Sequence, residues 1–506
     1  MILARPSRPA RAADMVAVVD LGSNSFHLLV ARLDHGQPHV LDRLQEMVRL
    51  AAGLDAQGRL DKATMRRALD CLARFGERLR GIPTANVRAV ATATLRRAQN
   101  SAAFLKRAGR TLGRRIEVIS GPEEARLIYQ GVAHDLPRHD EQRLLIDIGG
   151  GSTEVILGQG PRAQIIESLH IGCVRQSITH FADGHITRKR WKQAETAARL
   201  EFKPIEAQFR NRGWETAYGS SGTIRTVEAA LKGLRLEDEG ISARGLDDLR
   251  ERLLEAGHVN RLELPGLSIE RAPVFPGGVA ILAAAFRALG LKHLSVTDGA
   301  LREGLLYDLL GRIRHKDKDV RAQTVAALSA RYRVDTAQAE RVARSAQMLF
   351  EQIREAWGLG EAQAQALTWA ARLHEIGLAI AHTKYHRHGA YLIEHSDLPG
   401  FSLSEQRLLA ALVRTHRRSF PIEVFEVFAK SEARMARRLA VLLRLAVLLH
   451  RGRAGRALPR VALKAGKRRL RLRFPRGWLR RNPLTAADLA QEVVYLKTAG
   501  CKLEFE

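Results

Sequence analysis

The chain has 506 residues, with 82 Lys and Arg against 54 Asp and Glu, so its formal net charge is +28. This length exceeds what one hydrophobic core supports and predicts roughly two to four domains, while the charge favours a polyanionic partner such as polyphosphate, nucleic acid or an anionic membrane surface. The cysteines, Cys71, Cys173 and Cys501, lie far apart without CxxC spacing, which argues against a disulfide framework or a zinc knuckle and fits a reducing cytoplasm.

The N-terminal residues 1–15 are basic and lack the apolar stretch of a signal peptide, so a loose tail is expected. The most apolar late segment, residues 437–450, is too short to span a bilayer and contains Arg444. We therefore expect a cytoplasmic protein, with peripheral association at the inner membrane as an open alternative.

A short motif occurs twice: VVDLGSNS at 18–25 and LIDIGGGS at 145–152. Each copy has an apolar run, Asp, an apolar residue, Gly, two small residues and Ser, and a second apolar run follows, which predicts a β-hairpin with a tight turn. Glycine lets a backbone approach a ligand, N–H and hydroxyl groups can donate to phosphoryl oxygens, and the strand-end Asp can hold hydrated Mg²⁺. Most Gly/Ser turns only reverse the chain, but two such copies predict two related lobes and phosphate binding.

Two segments between the copies contain candidate site residues. Residues 87–100 predict a strand, a Thr-rich turn and a helix start with Arg96 and Arg97, where a guanidinium could clamp a phosphate or simply be solvated. Residues 116–132 predict a strand, a Gly-Pro turn and a helix opened by Glu123 and Glu124. Acids are also favoured at that position by the helix dipole alone.

Two further glycine-containing segments follow the second copy. Residues 217–231 place Ser221 and Gly222 at a predicted helix start, where first-turn amides can bind an anion. Residues 294–310 place Asp298 and Gly299 between a short strand and a helix. Either segment could be only a connector, but repeated strand, glycine turn and helix units predict an α/β architecture of two lobes with a cleft.

Taken together, these segments resemble the exopolyphosphatase / guanosine pentaphosphate phosphohydrolase family. The resemblance is carried by VVDLGSNSFHLLVAR, ATATLRRAQN, VISGPEEARLIYQGV, LLIDIGGGSTEVILG and VTDGALREG, in the family's order and spacing. It implies two actin/Hsp70-like (ribonuclease H-like) lobes at 15–136 and 137–312, each with one phosphate loop. An all-α HD-like domain at 313–455 and a small basic α+β segment at 456–506 would follow.

The resemblance also implies roles for individual residues. Glu124 matches the catalytic glutamate that deprotonates the attacking water, and Asp147 and Glu154 match catalytic acids that, with Asp20, would lie near Mg²⁺. The implied phosphate-binding residues are Ser23, Asn24, Ser25, Arg96, Gly149, Gly150, Gly151, Ser152 and Thr153, and the helix start adds Ser221 and Gly222. A homodimer stimulated by K⁺ is implied as well.

The C-terminal half changes character at about residue 313, where Ala/Arg/Leu-rich helical periodicity begins. Residues 369–395 and His416 resemble an HD-type phosphohydrolase, but His374-Glu375 stands where that superfamily has His-Asp, so we expect a degenerate domain for binding or dimerisation. His386 and His388 are expected to be core or surface histidines. Residues 463–481 alternate charged and apolar side chains, which predicts strands with one cationic face.

Four functions compete at this point. The leading prediction is Mg²⁺-dependent, processive removal of terminal orthophosphate from inorganic polyphosphate, because many basic residues could track a long anion. The alternative is 5′-phosphohydrolysis of guanosine pentaphosphate at the same site. An actin-like ATP-binding switch is a second alternative, and nucleic-acid binding ranks last because aromatic residues are only 5% of the chain; no specific nucleic acid partner is expected.

Overall fold

The computed structural model describes residues 14–34, 37–136, 140–314, 319–453, 458–466 and 469–506. The chain divides into two compact units, Met1–Lys316 and Asp317–Glu506. The expected N-terminal tail, the start of the second lobe at residue 137 and the boundary at 455/456 lie outside the described residues. The boundary expected at 312/313 falls inside a helix that continues to Arg314.

The first lobe is built on a five-stranded sheet with the order β3-β2-β1-β4-β5. Strand β1 reads as a continuous apolar run because it is central, with β2 antiparallel on one side and β4 parallel on the other. The elements of this part of the chain are β1 Met15–Leu21, β2 Phe26–Asp34, β3 Gln37–Glu46, α1 Lys62–Arg78, β4 Val87–Ala91, α2 Ala93–Arg97, α3 Ser101–Leu112, β5 Ile116–Val118 and α4 Gly121–Asp135.

The second lobe has a six-stranded sheet with the order β10-β11-β9-β6-β7-β8. Its central strand again pairs antiparallel with the next strand in sequence and parallel with a later one. The elements are β6 Gln142–Ile148, β7 Thr153–Gln159, β8 Arg162–Leu169, α5 Cys173–His180, α6 Arg188–Arg212, β9 Thr216–Ser220, α7 Ser221–Gly233, β10 Ile241–Ser242, α8 Ala243–Ala256, α9 Phe275–Leu289, β11 His293–Val296 and α10 Leu301–Arg314.

The two sheets repeat one topology. In each sheet, the first three strands in sequence are antiparallel neighbours. A later strand pairs parallel with the first strand, on its other side. The β1–β2 hairpin places Asp20 opposite His27, and the β6–β7 hairpin places Asp147 opposite Glu154. These are two actin/Hsp70-like, ribonuclease H-like lobes, and the predicted fold class is confirmed.

Helix α10 follows the second sheet in sequence but packs on the first. It packs mainly against α4 and also against β1, and Leu305 and Leu309 share a core with Val16 and Val18. The expected assignment of residues 137–312 to one lobe therefore does not describe α10, because its apolar face is buried against the first lobe's strand and helix.

The segment Ala272–Leu289 is apolar and long enough to cross a membrane by length and composition, but 78% of it is buried. Within it, every residue of α9 except Arg287 is buried, and its apolar side chains belong to the core of the second lobe. A helix that is apolar all round is expected in the core of a large protein.

The second unit has helices followed by a three-stranded sheet with the order β12-β13-β14. Helices and sheet share one hydrophobic core. Strand β13 alternates exposed arginines with buried leucines, as predicted, whereas residues 478–481 form a helical turn rather than a strand. The elements are α11 Val320–Arg331, α12 Thr336–Trp357, α13 Glu361–Leu373, α14 Tyr385–Glu394, α15 Leu403–Thr415, α16 Lys430–Leu449, β12 Ala462–Ala465, β13 Arg469–Arg473, α17 Trp478–Arg481, α18 Pro483–Thr498 and β14 Lys502–Phe505.

Candidate active site

A cavity of about 130 Å³ lies between the two predicted phosphate loops. Loop 1, residues 22–25, follows β1, and loop 2, residues 149–152, follows β6. Among the residues predicted for the site, those that line the cavity are Asp20, Ser23, Asn24, Ser25, Glu124, Asp147, Gly149, Gly150, Gly151, Ser152, Ser221 and Gly222. The tertiary structure thus brings both copies of the motif to one cleft.

Glycines let the two loops approach each other closely. A Cβ built on Gly151 would lie 2.7 Å from Ser23 Oγ, and one built on Gly150 would lie 3.2 Å from Asn24 N. The carbonyls of Ser23 and Asn24 accept from Ala51 N and Arg49 N, which holds loop 1 from behind.

The donors of both loops are available to a ligand. Within the described residues, no hydrogen bond is formed by the N–H groups of Ser23, Asn24, Gly150 and Gly151. Two oxygens, Asp20 Oδ1 and Ser23 Oγ, are buried without a partner among the described residues. Buried polar groups are nearly always paired in proteins, so these atoms are available to a water or a polar ligand at loop 1.

The two adjacent acids of the GPEEAR motif have different environments. Helix α4 begins at Gly121, capped by the Ser120 hydroxyl that accepts from Glu123 N at 3.2 Å. Glu123 is 1% exposed and pairs with Arg126 Nε at 2.7 Å, away from the cavity. Glu124 lines the cavity, and Arg96 Nη1 donates to its Oε2 at 2.7 Å. Glu124 is thus the acid that can reach a water in the cleft.

The two strand-end aspartates are poor anions in this environment. Burial raises the pKa of Asp20 to about 8, and the negative charges of Glu124 and Asp147 add to this shift. Burial likewise raises the pKa of Asp147 to about 6, and the charge of Glu124 adds to the shift. Acids crowded in a buried cleft repel one another unless a cation separates them, so the pair is suited to holding a cation.

Three predicted site residues do not line the cavity. Thr153 is fully buried and its hydroxyl donates to the Ile171 carbonyl at 2.7 Å, so the expectation that this hydroxyl binds phosphate is wrong. Glu154 accepts from Ser168 Oγ at 2.9 Å, and burial next to Glu124 and Asp147 raises its pKa well above the ordinary value. Arg96 is occupied by Glu124 and the Ile119 carbonyl, which makes it a positioning residue for Glu124 in this structure.

Sequence reasoning missed one histidine and three arginines of the cavity, His27, Arg225, Arg271 and Arg302, as well as the uncharged Gln45, Thr92 and Thr223. Burial, and then the charges of the three arginines, lower the pKa of His27 to about 3. The ring is therefore neutral, and its Nε2 lies 2.8 Å from Ser25 Oγ. The repeat itself was the missed signal, because His27 occupies the position in copy 1 that Glu154 occupies in copy 2.

The three arginines face the cavity from outside the duplicated motif. Arg225 lies on α7 behind the strained Ser221, whose φ is +91°, and Arg302 lies on the first turn of α10. The Arg271 guanidinium lies so close to Gly222 that a Cβ on residue 222 would displace it. Three guanidinium groups in the lining suit a multiply charged phosphate chain.

The predicted metal set, Asp20, Asp147 and Glu154, is only partly assembled. Within the described residues, no group of three or more His, Cys, Asp and Glu side chains lies close enough to hold a metal ion. Asp20 and Asp147 both line the cavity, and Asp20 keeps an unpartnered oxygen. Two carboxylates fit Mg²⁺, which retains several waters and commonly takes only one or two protein carboxylates.

Comparison with known proteins decides the family. The profile of the Ppx/GppA phosphatase family matches residues 29–313, and the profile of Ppx/GppA phosphatase domain III matches residues 320–493. The chain belongs to the Ppx/GppA phosphatase family. The resemblance stated from the sequence motifs is confirmed.

Several relatives extend the comparison. The chain is 42% identical over 480 residues to a guanosine-5′-triphosphate,3′-diphosphate pyrophosphatase of Aeromonas hydrophila subsp. hydrophila, covering 95% of this chain and 96% of the relative. A solved exopolyphosphatase from Cytophaga hutchinsonii is 26% identical with a TM-score of 0.54, covering 59% of this chain and 98% of its own. A solved exopolyphosphatase-like protein has the same identity and TM-score over 59% of this chain and 99% of its own.

Family membership fits the chemistry of the cleft. A Ppx/GppA phosphatase hydrolyses phosphoanhydrides, and loops 1 and 2 present backbone donors, hydroxyls and acids to one small cavity. The cavity has the size of a few phosphoryl groups rather than of a whole nucleotide, since pockets for drug-sized ligands are roughly 300–1,000 Å³.

Proposed function

We propose that this phosphatase removes the terminal 5′-phosphate of guanosine pentaphosphate, giving guanosine tetraphosphate and orthophosphate. The observation that carries the proposal is the 42% identity to the Aeromonas hydrophila pyrophosphatase along 95% of the chain. This reverses the order of the two substrates expected from the sequence, where the basic C-terminal half favoured polyphosphate. The cleft supports either substrate, because both end in a phosphoanhydride.

The reaction transfers one proton, forms one P–O bond to water and breaks one P–O bond to the leaving phosphate. A water oxygen attacks the γ-phosphorus, the bond from that phosphorus to the β,γ-bridging oxygen breaks, and the water proton passes to the Glu124 carboxylate. Arg96 holds Glu124 at 2.7 Å and so fixes the direction of its second oxygen. In such loose transition states, positioning and charge stabilisation supply most of the catalysis.

The two loops would bind the transferred group. Backbone N–H groups of Ser23, Asn24, Gly150 and Gly151 point to no other acceptor, and they would donate to the equatorial oxygens. Arg225, Arg271 and Arg302 line the cavity and would neutralise the leaving chain. Preorganised donors of this kind commonly contribute a factor of about 10²–10³ each to the rate.

Mg²⁺ is the proposed cofactor, with Asp20 and Asp147 as its protein ligands. When bound, the ion would supply charge neutralisation to the phosphate chain. Glu154 lies outside the cavity, so we propose that it acts behind Asp147, which it faces across the β6–β7 hairpin.

Inorganic polyphosphate is the second candidate substrate. It is favoured by the cationic second unit, in which Arg434, Arg437 and Arg438 line a cavity of about 390 Å³ with no acid among its lining residues. The two solved neighbours named for exopolyphosphatase activity support it as well.

The test is orthophosphate release from guanosine pentaphosphate and from long-chain polyphosphate, compared between the parent and Glu124→Gln. We expect kcat with both substrates to fall by about 10²–10⁴-fold while the thermal midpoint stays close to the parent value. Asp70→Asn, on the exposed face of α1, is the matched control and should leave both rates unchanged. Guanosine pentaphosphate should have the higher kcat/KM; a parent that cleaves only polyphosphate would contradict the first substrate, and an active Glu124→Gln would contradict the base.

A further inference from the structure

The second unit contains a cavity of about 500 Å³ that the phosphatase reaction does not use. It lies where α13 and α15 end, against the last turns of α16 and the middle of α18. Its lining combines arginines, buried imidazoles, a tyrosine and an apolar wall. Its volume is that of a nucleotide-sized ligand site.

Two of the lining arginines have no acidic partner in the part of the chain that the structure describes. Arg444, Arg451 and Arg453 pair with Glu492, Asp488 and Glu375 respectively.

Within the described residues Arg417 and Arg418 form no ion pair. The Arg417 guanidinium lies 4.4 Å from the centre of the Tyr385 ring, and Arg418 follows it directly. Two unpaired guanidinium groups at the rim of a cavity favour an anionic ligand, above all a phosphate.

The buried floor of the cavity offers acceptors instead of donors. His374, which is 1% exposed, is held by its Nδ1 at 2.7 Å from the Ala371 carbonyl. A carbonyl only accepts, so Nδ1 carries the proton; burial lowers the pKa of the ring, and Nε2 is left as an acceptor. Among the described residues, neither His374 Nε2 nor Glu375 Oε2 has a hydrogen-bond partner.

A metal ion is a poor occupant for this floor. The carboxylate of Glu375 is already paired with the Arg453 guanidinium, and the described residues contain no three ligands close enough for a metal. A fully ionised inorganic phosphate chain is also a poor occupant, because it has no hydrogen to donate to His374 Nε2 or Glu375 Oε2. The acceptors of the floor can bind hydroxyl or amino groups of a ligand, and the arginines of the rim can bind its phosphate.

We propose that this cavity binds a phosphorylated nucleoside, with its phosphates at Arg417 and Arg418 and its hydroxyl or amino groups at His374 and Glu375. The apolar side chains of Leu378, Val447 and Leu448 would contact its ring. All residues that line this site belong to the second unit, and the site does not depend on the proposed substrate.

The test is equilibrium binding of GDP to the full chain in EDTA, with tripolyphosphate as the probe that lacks hydrogen-bond donors. The variant is Arg417→Met/Arg418→Gly. Methionine keeps an apolar stem over Tyr385, and glycine suits position 418, where φ is +59°. We expect saturable GDP binding in the parent and a rise in Kd of about tenfold or more in the variant, the loss expected for charged hydrogen bonds.

Two controls separate this site from its neighbours. Arg434→Ala removes an arginine of the same unit outside the cavity, and Arg225→Ala removes one from the phosphatase cleft. If Arg417 and Arg418 make the phosphate contact, both control variants should bind GDP with a Kd within about twofold of the parent value. The proposal is overturned if the parent shows no saturable binding, if Arg225→Ala and not the double variant abolishes it, or if tripolyphosphate occupies the cavity as tightly as GDP.

Discussion

At the residue scale, the adjacent Glu123 and Glu124 have different roles because they lie on different faces of α4. Glu123 points into a buried ion cluster and Glu124 into the cleft. One helical step of about 100° separates their directions, which is enough to make one acid structural and its neighbour a candidate base. Only Glu124 combines access to the cavity with an arginine that fixes its orientation.

The cleft acids are predicted to lower stability when no cation is bound. The pKa of Asp20 is raised from its ordinary value to about 8, so between roughly pH 4 and pH 8 the folded state binds more protons than the unfolded state, and the free energy of unfolding falls as pH rises. Asp20→Asn removes this loss. In EDTA at pH 8 we expect the variant to be more stable than the parent by up to about 5 kcal/mol, with little difference at pH 4.

The measurement is urea unfolding of parent and Asp20→Asn at both pH values, followed by thermal melts with added Mg²⁺. Mg²⁺ should raise the melting midpoint of the parent and have much less effect on the variant, because Asp20 is a proposed ligand. Equal stability at pH 8, or an unchanged Mg²⁺ response in Asp20→Asn, would contradict this account.

At the element scale, loop 2 is held in place by α5, which begins just after Gly172. Cys173 N and Val174 N donate to the Gly149 and Gly150 carbonyls at 2.9 and 3.1 Å. A Cβ on Gly172 would lie 2.5 Å from the carbonyl carbon and oxygen of Gly150 and from Gly151 N. Since those are backbone atoms, loop 2 itself must move.

Gly172→Ala is therefore expected to lower kcat/KM by about 10²-fold, the cost of misplacing a catalytic loop by an ångström or so, with a stability loss of roughly 1–3 kcal/mol. Gly311→Ala on α10 is the matched control, since its Cβ would contact nothing within 4 Å; its rate should not change. Steady-state kinetics and urea unfolding of both variants test this, and a fully active Gly172→Ala would show that loop 2 tolerates displacement.

Helix α10 is joined to the first lobe by ions as well as by its apolar face. Asp308 accepts from Arg88 on β4 at 2.5 Å, from Arg126 on α4 at 2.7 Å and from Arg312 at 2.7 Å. These positive neighbours hold the pKa of Asp308 far below its ordinary value. The carboxylate therefore connects three elements.

Asp308→Asn should lower the free energy of unfolding by about 3–5 kcal/mol, because it leaves buried guanidinium groups without their counter-charge. Glu251→Gln is the comparison, because its pair with Arg188 is exposed and exposed pairs contribute little. Urea unfolding of the two variants measures the difference; similar losses would mean that the buried cluster is not stabilising the position of α10.

At the scale of the whole molecule, a net charge of +28 gives the two candidate substrates different salt dependences. A long polyphosphate can contact cations beyond the cleft, whereas guanosine pentaphosphate carries few phosphates. Each phosphate neutralised adds on the order of 0.7 to the slope of log affinity against log salt, by analogy with single-stranded nucleic acid.

We therefore expect kcat/KM for polyphosphate to fall more steeply with NaCl, at constant K⁺ and Mg²⁺, than kcat/KM for guanosine pentaphosphate. Arg434→Gln/Arg437→Gln should reduce the polyphosphate slope and leave the nucleotide slope unchanged. Equal slopes in the parent would mean that the basic second unit does not contact the polymer.

The sequence by itself determined the two hairpin turns, the α/β class and the acids and glycines of the loops. Local rules suffice for these, since a turn of Gly and Ser after an apolar run has few conformations. The family resemblance followed from the same motifs in their order. Even His27 was within reach, because it aligns with Glu154 in the repeat.

Tertiary structure alone decided which of those residues share the cleft. The Thr153 hydroxyl donates to a backbone carbonyl, and Glu154 accepts from Ser168, so neither lines the cavity. Arg96 donates to Glu124. Arg271 lines the cavity although its segment contains no motif. The position of α10 on the first lobe likewise depends on buried faces that lie far apart in the chain. Local sequence specifies turns and periodicity, whereas long-range packing selects the side chains that face each other across the cleft.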